Sequence, residues 1–226
     1  WSSYRPQPSA PHLKRGVGLA CSVTNSGASP ISTAFARLHA DGSASVHIGT
    51  TELGQGSSSA MAQIAAEELR VPMESVRVVA SDTDAVPYDR STGASRSTTL
   101  MGLAVHDAAV EVREQVLGLA AQYFEAFPDQ VVLADGHATH KGETVPYSAL
   151  MREMFGGPGG ELMGRGYVTP RHPSGKLRED PVFWEVSMGF AEVEVDESTG
   201  LVRVLRYTSV ADPGKAINPQ QVEGQD

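Results

Sequence analysis

The chain has 226 residues, of which 40% are hydrophobic and 20% charged, an ordinary composition for a globular protein with one good-sized core or two small ones. A formal net charge of -9 indicates a protein that binds neither nucleic acid nor an anionic membrane surface, since both partners require clustered Lys and Arg. No apolar run approaches the roughly 20 residues that span a membrane, so we expect a cytoplasmic protein. The single cysteine, Cys21, excludes an internal disulfide or a cysteine-ligated cluster within these residues.

The first quarter of the chain predicts an extended lead-in, a strand and a β-hairpin. Residues 1–14 are rich in Pro and Ser, which favours an extended segment. The run at 15–23 predicts a strand in which Cys21 is buried by packing. Between residues 32 and 48, apolar side chains alternate on both sides of an Asp-Gly pair, which predicts a hairpin with a tight turn.

Two helices dominate the middle of the chain. The first is predicted at about 57–69, because Pro72 follows it as a stop signal. A strand is predicted at 75–82. The second helix is predicted at about 97–126, where apolar residues recur every three or four positions and so form one buried face.

The second half predicts further hairpins and little additional helix. An Asp-Gly hairpin is expected at 130–145, a short helix at 147–155 and a polar, Pro-rich surface excursion at 165–182. A strong hairpin follows at 190–212. Hairpins interspersed with helices predict an α+β fold, with β-hairpins and a mixed sheet packed with two main helices, and not the strict βαβ alternation of a parallel sheet.

The loop before the first helix, TTELGQG at residues 50–56, is a candidate binding loop. The first N–H groups of the helix point into it and favour an anion, and Gly54 and Gly56 allow a ligand to approach the backbone. Gln55 adds an amide that both donates and accepts hydrogen bonds. The alternative interpretation is a plain helix entry capped by serines.

A second candidate loop, STGASRSTT at residues 91–99, leads into the long helix. It offers hydroxyl donors, one glycine and the cation of Arg96. Two such helix entries suggest a ligand with several anionic or polar groups. A nucleotide- or phosphate-binding module without redox chemistry and an inert interaction domain remain alternatives.

Three segments, GTTELGQG, STGASRST and ADPGKAINPQQVEGQ, occur in this order. Together they resemble the large, molybdopterin-binding subunit of the xanthine dehydrogenase family of molybdenum hydroxylases, which includes aldehyde oxidases and carbon monoxide dehydrogenase. The resemblance covers residues from about 15 to the last one and corresponds to the C-terminal cofactor-binding portion of that subunit. It implies a partial molybdopterin-binding domain at 15–226, truncated before the catalytic glutamate.

The resemblance implies a set of cofactor-binding residues. Gly54, Gln55 and Gly56 match the loop that holds the pterin, and Gln225 matches a glutamine that bonds the cofactor near its dithiolene. The segment that wraps the pyrophosphate and reaches the edge of the metal matches Thr92, Gly93, Ala94, Ser95, Arg96 and Ser97. No protein atom is expected to ligate the molybdenum, because the dithiolene sulfurs hold it in this family.

The resemblance also implies what the complete enzyme does. It would oxidise an aromatic heterocycle or an aldehyde with water-derived oxygen at a molybdenum–molybdopterin cofactor, in its cytosine dinucleotide form. The 2Fe-2S clusters and FAD are expected on partner subunits or domains, and the rest of the cradle on the other half of the subunit. The catalytic glutamate is expected beyond residue 226, so the isolated chain is expected to be inactive. Glu52, Glu192 and Glu194 are not substitutes for it, and the last two are predicted on the solvated face of a strand.

Overall fold

The computed structural model describes residues 4, 6–26, 31–156, 159–169 and 183–225. The described strands are β1 (Leu13–Ser26), β2 (Ser32–Leu38), β3 (Ala44–Ile48), β4 (Val76–Ala80), β5 (Val132–Ala134), β6 (His137–His140), β7 (Glu143–Pro146), β8 (Leu162–Val168), β9 (Phe183–Asp196) and β10 (Val202–Asp212). The described α-helices are α1 (Ser57–Leu69), α2 (Gly102–Tyr123), α3 (Tyr147–Phe155) and α4 (Pro219–Gln225). This content confirms the predicted α+β class.

The chain divides into two compact units, one of residues 26–182 and one of residues 1–25 with 183–226. Both units fall largely within the domain predicted at 15–226. The boundaries of that domain, and of the lead-in before it, stay predictions.

A four-stranded mixed sheet organises the larger unit, in the order β4-β3-β2-β8. β2 runs antiparallel to both β3 and β8, and the predicted hairpin between β2 and β3 is confirmed. β3 and β4 run parallel, with α1 as the connection between them. This single βαβ unit was not predicted, because the sequence signals favour hairpins over a fully parallel sheet and do not indicate a mixture of the two.

Helices α1 and α2 pack side by side on this sheet, with α2 over β2 and β8 and α1 over β3 and β4. Their apolar faces form the core with the inward side chains of the strands. The predicted bounds of α1 are confirmed at Ser57–Leu69. The long helix begins with a π-helical turn, Ser97–Met101, and α2 ends at Tyr123, three residues before the predicted end.

Strand β8 corrects part of the predicted surface excursion. Its residues alternate buried and exposed, and the buried set includes Gly164 and Gly166. A Cβ on Gly166 would lie 1.7 Å from the Ala104 carbonyl oxygen, and one on Gly164 would lie 2.2 Å from the Ala108 carbonyl oxygen. The backbone of α2 therefore packs directly on Gly164 and Gly166. Because these two positions carry no apolar side chain, only Leu162 and Val168 at the ends of the buried face contribute to a strand signal. Residues 170–182 of the predicted excursion lie outside the described residues.

The predicted hairpin at 130–145 is a three-stranded antiparallel sheet, β5-β6-β7. A second tight turn at Lys141 and Gly142, both with positive φ, adds the third strand. Helix α3 follows at its predicted bounds. The buried Tyr147 hydroxyl donates to the carbonyl of Leu69 at 3.2 Å, which ties α3 to the end of α1.

The smaller unit contains a three-stranded sheet in the order β1-β9-β10, with α4 near the end of the chain. The predicted hairpin of β9 and β10 is confirmed. Cys21 is exposed, so its predicted burial is wrong. Cys21 lies on β1, and the sequence of a single strand does not show which of its two faces packs against the rest of the protein.

The strand face predicted to be solvated is the buried face of β9. Glu192 is 9% and Glu194 is 4% exposed. The Glu194 carboxylate accepts hydrogen bonds at 2.8 Å from Arg15 Nε, Ser9 Oγ and Arg203 Nη2. These donors, Arg15 first, lower the pKa of Glu194 to about 2. The prediction failed because the compensating cation, Arg15, comes from a strand 179 residues away.

Within the described residues, no helix has the length and apolar character needed to cross a membrane. The cytoplasmic location stays a prediction.

Candidate functional site

Both candidate loops leave the same edge of the larger unit's sheet. The first, residues 49–56, follows β3, and the second, residues 81–96, follows β4. Because β3 and β4 are parallel neighbours, their carboxyl ends lie side by side. This edge is where ligands bind in open sheets with parallel strands.

The two loops are in direct contact. The Thr51 N–H donates to the Thr92 hydroxyl oxygen at 3.0 Å, and that hydroxyl donates to the Thr51 carbonyl at 3.2 Å. At Gly49 a Cβ would lie 2.7 Å from both the Cβ and the backbone nitrogen of Asp89, so glycine is required for this approach. Two segments that are about forty residues apart in sequence therefore form one surface.

Glu52 occupies the N-terminus of α1. Its carboxylate accepts the N–H groups of Gly54, Gly56 and Ser58, each at 2.9 Å, and the Ser57 hydroxyl at 3.2 Å. These donors, the Ser58 N–H first, lower the pKa of Glu52 to about 2. The anion site that the sequence predicts at this helix start is thus occupied by a carboxylate of the chain itself, that of Glu52. The signal in the sequence is a glutamate two residues before Gly-x-Gly, and this role of Glu52 was not predicted.

Gln55 braces the first loop from within. Its carbonyl oxygen accepts the Leu53 N–H at 2.6 Å, and its amide nitrogen donates to the Thr51 carbonyl at 3.0 Å and to Ser57 Oγ at 2.8 Å. Gly54 and Gly56 have φ of 101° and 77°, which favours glycine at both positions. A Cβ on Gly54 would meet no described atom within 4 Å, so this face of the loop is open to a ligand.

The second loop presents a small, polar surface. Gly93, Ala94 and Ser95 are exposed, and Thr92 and Ser97 are half-buried. Ala94 and Ser95 have φ of 53° and 50°, a left-handed conformation that is rare for residues other than glycine. Among described atoms, none lies within 4 Å of a Cβ placed on Gly93.

Arg96 differs from its neighbours because its side chain is 2% exposed and its guanidinium pairs with Asp89 at 2.9 Å. The cation that the sequence offers to a ligand is therefore directed into the protein. Gln225 lies in the other unit, on α4, and is exposed. The structure thus brings Gly54, Gln55 and Gly56 to the same edge of the larger unit as the 92–97 segment.

The sequence profile of a family described as the molybdopterin cofactor-binding domain matches residues 2–225. The chain belongs to this family. This confirms the resemblance that the three sequence segments carry.

This molybdopterin cofactor-binding domain is similar to larger proteins. It is 31% identical over 224 residues to the gamma subunit of the 6-hydroxypseudooxynicotine dehydrogenase complex of Paenarthrobacter nicotinovorans, covering 94% of the chain and 27% of that protein. It is 32% identical over 230 residues to a probable hypoxanthine oxidase of Escherichia coli (strain K12), covering 100% of the chain and 23% of that protein. The chain therefore spans about a quarter of the length of these relatives.

A solved structure with the same fold is the reconstituted CO dehydrogenase from Oligotropha carboxidovorans. The TM-score is 0.79 at 26% identity, and the match covers 95% of this chain and 28% of that one. The α+β fold is therefore that of a molybdenum hydroxylase cofactor-binding domain.

The donor set of the domain fits a molybdopterin whose own sulfurs hold the metal. The two loops offer glycine backbone and hydroxyls. In the part of the chain that the structure describes, no three His, Cys, Asp or Glu side chains group as metal ligands do. Open space at Gly54 and Gly93 is what a bulky ligand lying against the backbone requires.

Proposed function

We propose that this domain supplies one wall of the molybdenum–molybdopterin site of a larger molybdenum hydroxylase, which oxidises an aromatic heterocycle or an aldehyde with water-derived oxygen. The observation that carries the proposal is the contact between the two glycine- and hydroxyl-containing loops, made through Thr51 and Thr92 at the carboxyl ends of β3 and β4. Membership of the molybdopterin cofactor-binding family supports it.

The residues of this chain bind and orient the cofactor. Gly54 and Gly56 would let the pterin approach the first loop, and Gln55 holds that loop in shape through its hydrogen bonds to Thr51, Leu53 and Ser57. The second loop would hold the pyrophosphate through Thr92, Gly93, Ala94, Ser95 and Ser97, with the buried Arg96 side chain behind it. The small side chain of Ala94 would leave room beside the metal. Gln225 adds a hydrogen bond near the dithiolene. When bound, the cofactor supplies the oxygen transfer and accepts the electrons.

The remaining parts of the enzyme are assigned to other residues and chains. The catalytic glutamate lies beyond residue 226, and the other half of the large subunit completes the cradle. The cofactor is the cytosine dinucleotide form, and electrons leave through 2Fe-2S clusters and FAD on partner subunits or domains. A relative that is named as one subunit of a dehydrogenase complex supports such partners.

The test is metal analysis by mass spectrometry, with extraction of the cofactor, on the full-length complex from its native host. We expect about one molybdenum per large subunit together with a pterin dinucleotide. A folded, complete preparation without molybdenum would refute the proposal and favour a nucleotide- or phosphate-binding module without redox chemistry.

A further inference from the structure

A buried ion pair closes the base of the second loop. The Asp89 and Arg96 side chains are 0% and 2% exposed, and Arg96 Nη1 donates to Asp89 Oδ1 at 2.9 Å. Between them, the residues from 90 to 95 are exposed or half-buried. The two buried charges therefore lie at the two ends of the outward-facing segment 90–95.

The pair is anchored to the ends of two strands. Asp89 Oδ1 accepts the Ser32 hydroxyl at 2.8 Å at the start of β2, and Oδ2 accepts the Thr50 hydroxyl at 2.7 Å just after β3. Arg96 Nη2 donates to the Ile31 carbonyl at 2.6 Å. These contacts fix both ends of the loop on the rigid sheet.

The shape of the loop needs such restraint. Ala94 and Ser95 adopt consecutive left-handed conformations, which L-residues adopt only at an energetic cost. Arg96 Nη1 also donates to the Arg90 carbonyl at 3.1 Å, directly across the loop. A neutral side chain in place of Arg96 cannot make the same contacts, because the planar guanidinium donates several directed hydrogen bonds at once.

We propose that Asp89 and Arg96 are positioning residues whose buried ion pair holds residues 91–95 in the conformation that receives the cofactor. The Arg96 side chain acts from inside the loop, and the cofactor meets the hydroxyls and backbone of the segment it supports. This inference rests on the proposed function. It adds Asp89 to the site and changes the role of Arg96.

The decisive variant is the double substitution Asp89→Leu with Arg96→Met in the full-length complex. Replacing a buried ion pair by apolar side chains of similar size often preserves stability, but it removes all the side-chain hydrogen bonds that Asp89 and Arg96 make at the base of the loop. We expect global unfolding to be little changed. Hydrogen exchange at residues 91–97 should rise by about tenfold, because a local opening is no longer opposed. Molybdenum per subunit should fall severalfold.

Two further variants keep the test decisive if the double variant does not fold. Arg96→Lys keeps the positive charge and loses the planar guanidinium with its several donors. We therefore expect hydrogen exchange and molybdenum content between those of the wild type and the double variant. Glu67→Gln is the control, since Glu67 forms an exposed ion pair with Arg70 at 3.0 Å on α1. It should leave both measurements at wild-type values.

The outcomes separate this inference from the proposed function. Wild-type complex without molybdenum would refute the proposed function, while faster exchange at 91–97 in the Arg96→Lys variant would still support a positioning pair. Molybdenum-containing wild type, with unchanged exchange and occupancy in both Arg96 variants, would overturn the inference. Lost molybdenum with unchanged exchange at 91–97 would also overturn it, because Arg96 would then contact the cofactor directly.

Discussion

Replacing Glu52 by glutamine tests how the first loop is held. In the wild type the carboxylate accepts three backbone N–H groups, those of Gly54, Gly56 and Ser58. Glutamine keeps the size of the side chain and one acceptor oxygen but loses the charge. We therefore expect the loop and the first turn of α1 to open more often, with the rest of the fold unchanged.

The magnitude follows from the pKa of Glu52. Its fall from an ordinary value of 4.5 to about 2 sets an upper limit of about 3.4 kcal/mol, at about 1.4 kcal/mol per tenfold change in the acid constant. Glu52 is exposed, so solvent screening reduces the expected contribution to about 1 kcal/mol. That corresponds to about a fivefold change in the equilibrium between closed and open loop.

The pH dependence has a defined sign. Because the pKa is lowered in the folded protein, the stabilisation is complete above about pH 4.5 and is lost as the pH falls towards 2. Hydrogen exchange at Gly54, Gly56 and Ser58, corrected for intrinsic rates, should be about fivefold faster in the glutamine variant at pH 7. The two proteins should converge near the acid end of this range. Equal exchange at pH 7, or a difference that persists at about pH 2, would refute the reasoning.

Three other substitutions probe the site and its support. Gln55→Ala should lower the molybdenum content of the full-length complex, since one amide hydrogen bond contributes about 0.5–1.5 kcal/mol, and unchanged occupancy would count against this loop. Gly166→Ala should lower the melting temperature strongly, because its Cβ would lie 1.7 Å from the Ala104 carbonyl oxygen; Gly118→Ala on α2, with no described atom within 4 Å, is the control that should not. Ala94→Val should destabilise the second loop by about 1–2 kcal/mol and speed its proteolysis, since a β-branched residue tolerates φ of 53° poorly, whereas Ala94→Gly should not.

Much of the local structure could be predicted from the sequence because its signals are local. The bounds of α1 follow from a glycine and serine entry and from Pro72, and the hairpins follow from alternation around Asp-Gly turns. Strand β8 was not predicted, because the centre of its buried face is Gly164 and Gly166, which pack on the backbone of α2, and only Leu162 and Val168 at its ends carry apolar side chains.

The candidate site divides in the same way. Its two loops are visible in the sequence as glycine- and hydroxyl-containing helix entries. Their contact through Thr51 and Thr92 depends on β3 and β4 being parallel, which no single segment encodes. Asp89 was not identified for the same reason, since its partners Ser32 and Thr50 are 57 and 39 residues away in sequence.

The charged side chains near the two loops stabilise the conformations of those loops. Glu52 neutralises the donors at the start of α1, and Asp89 neutralises Arg96 beneath the second loop. Of these side chains, the sequence offered only Arg96 to a ligand, as a cation within a glycine- and hydroxyl-containing loop. In the structure Glu52, Asp89 and Arg96 all bond to the protein itself, so the two loops present mainly glycine backbone and hydroxyls. Recognition of a cofactor by such a surface depends on fixed geometry, and this is why we expect substitution of Glu52 or Asp89 to affect cofactor binding, although both carboxylates bond to the protein itself.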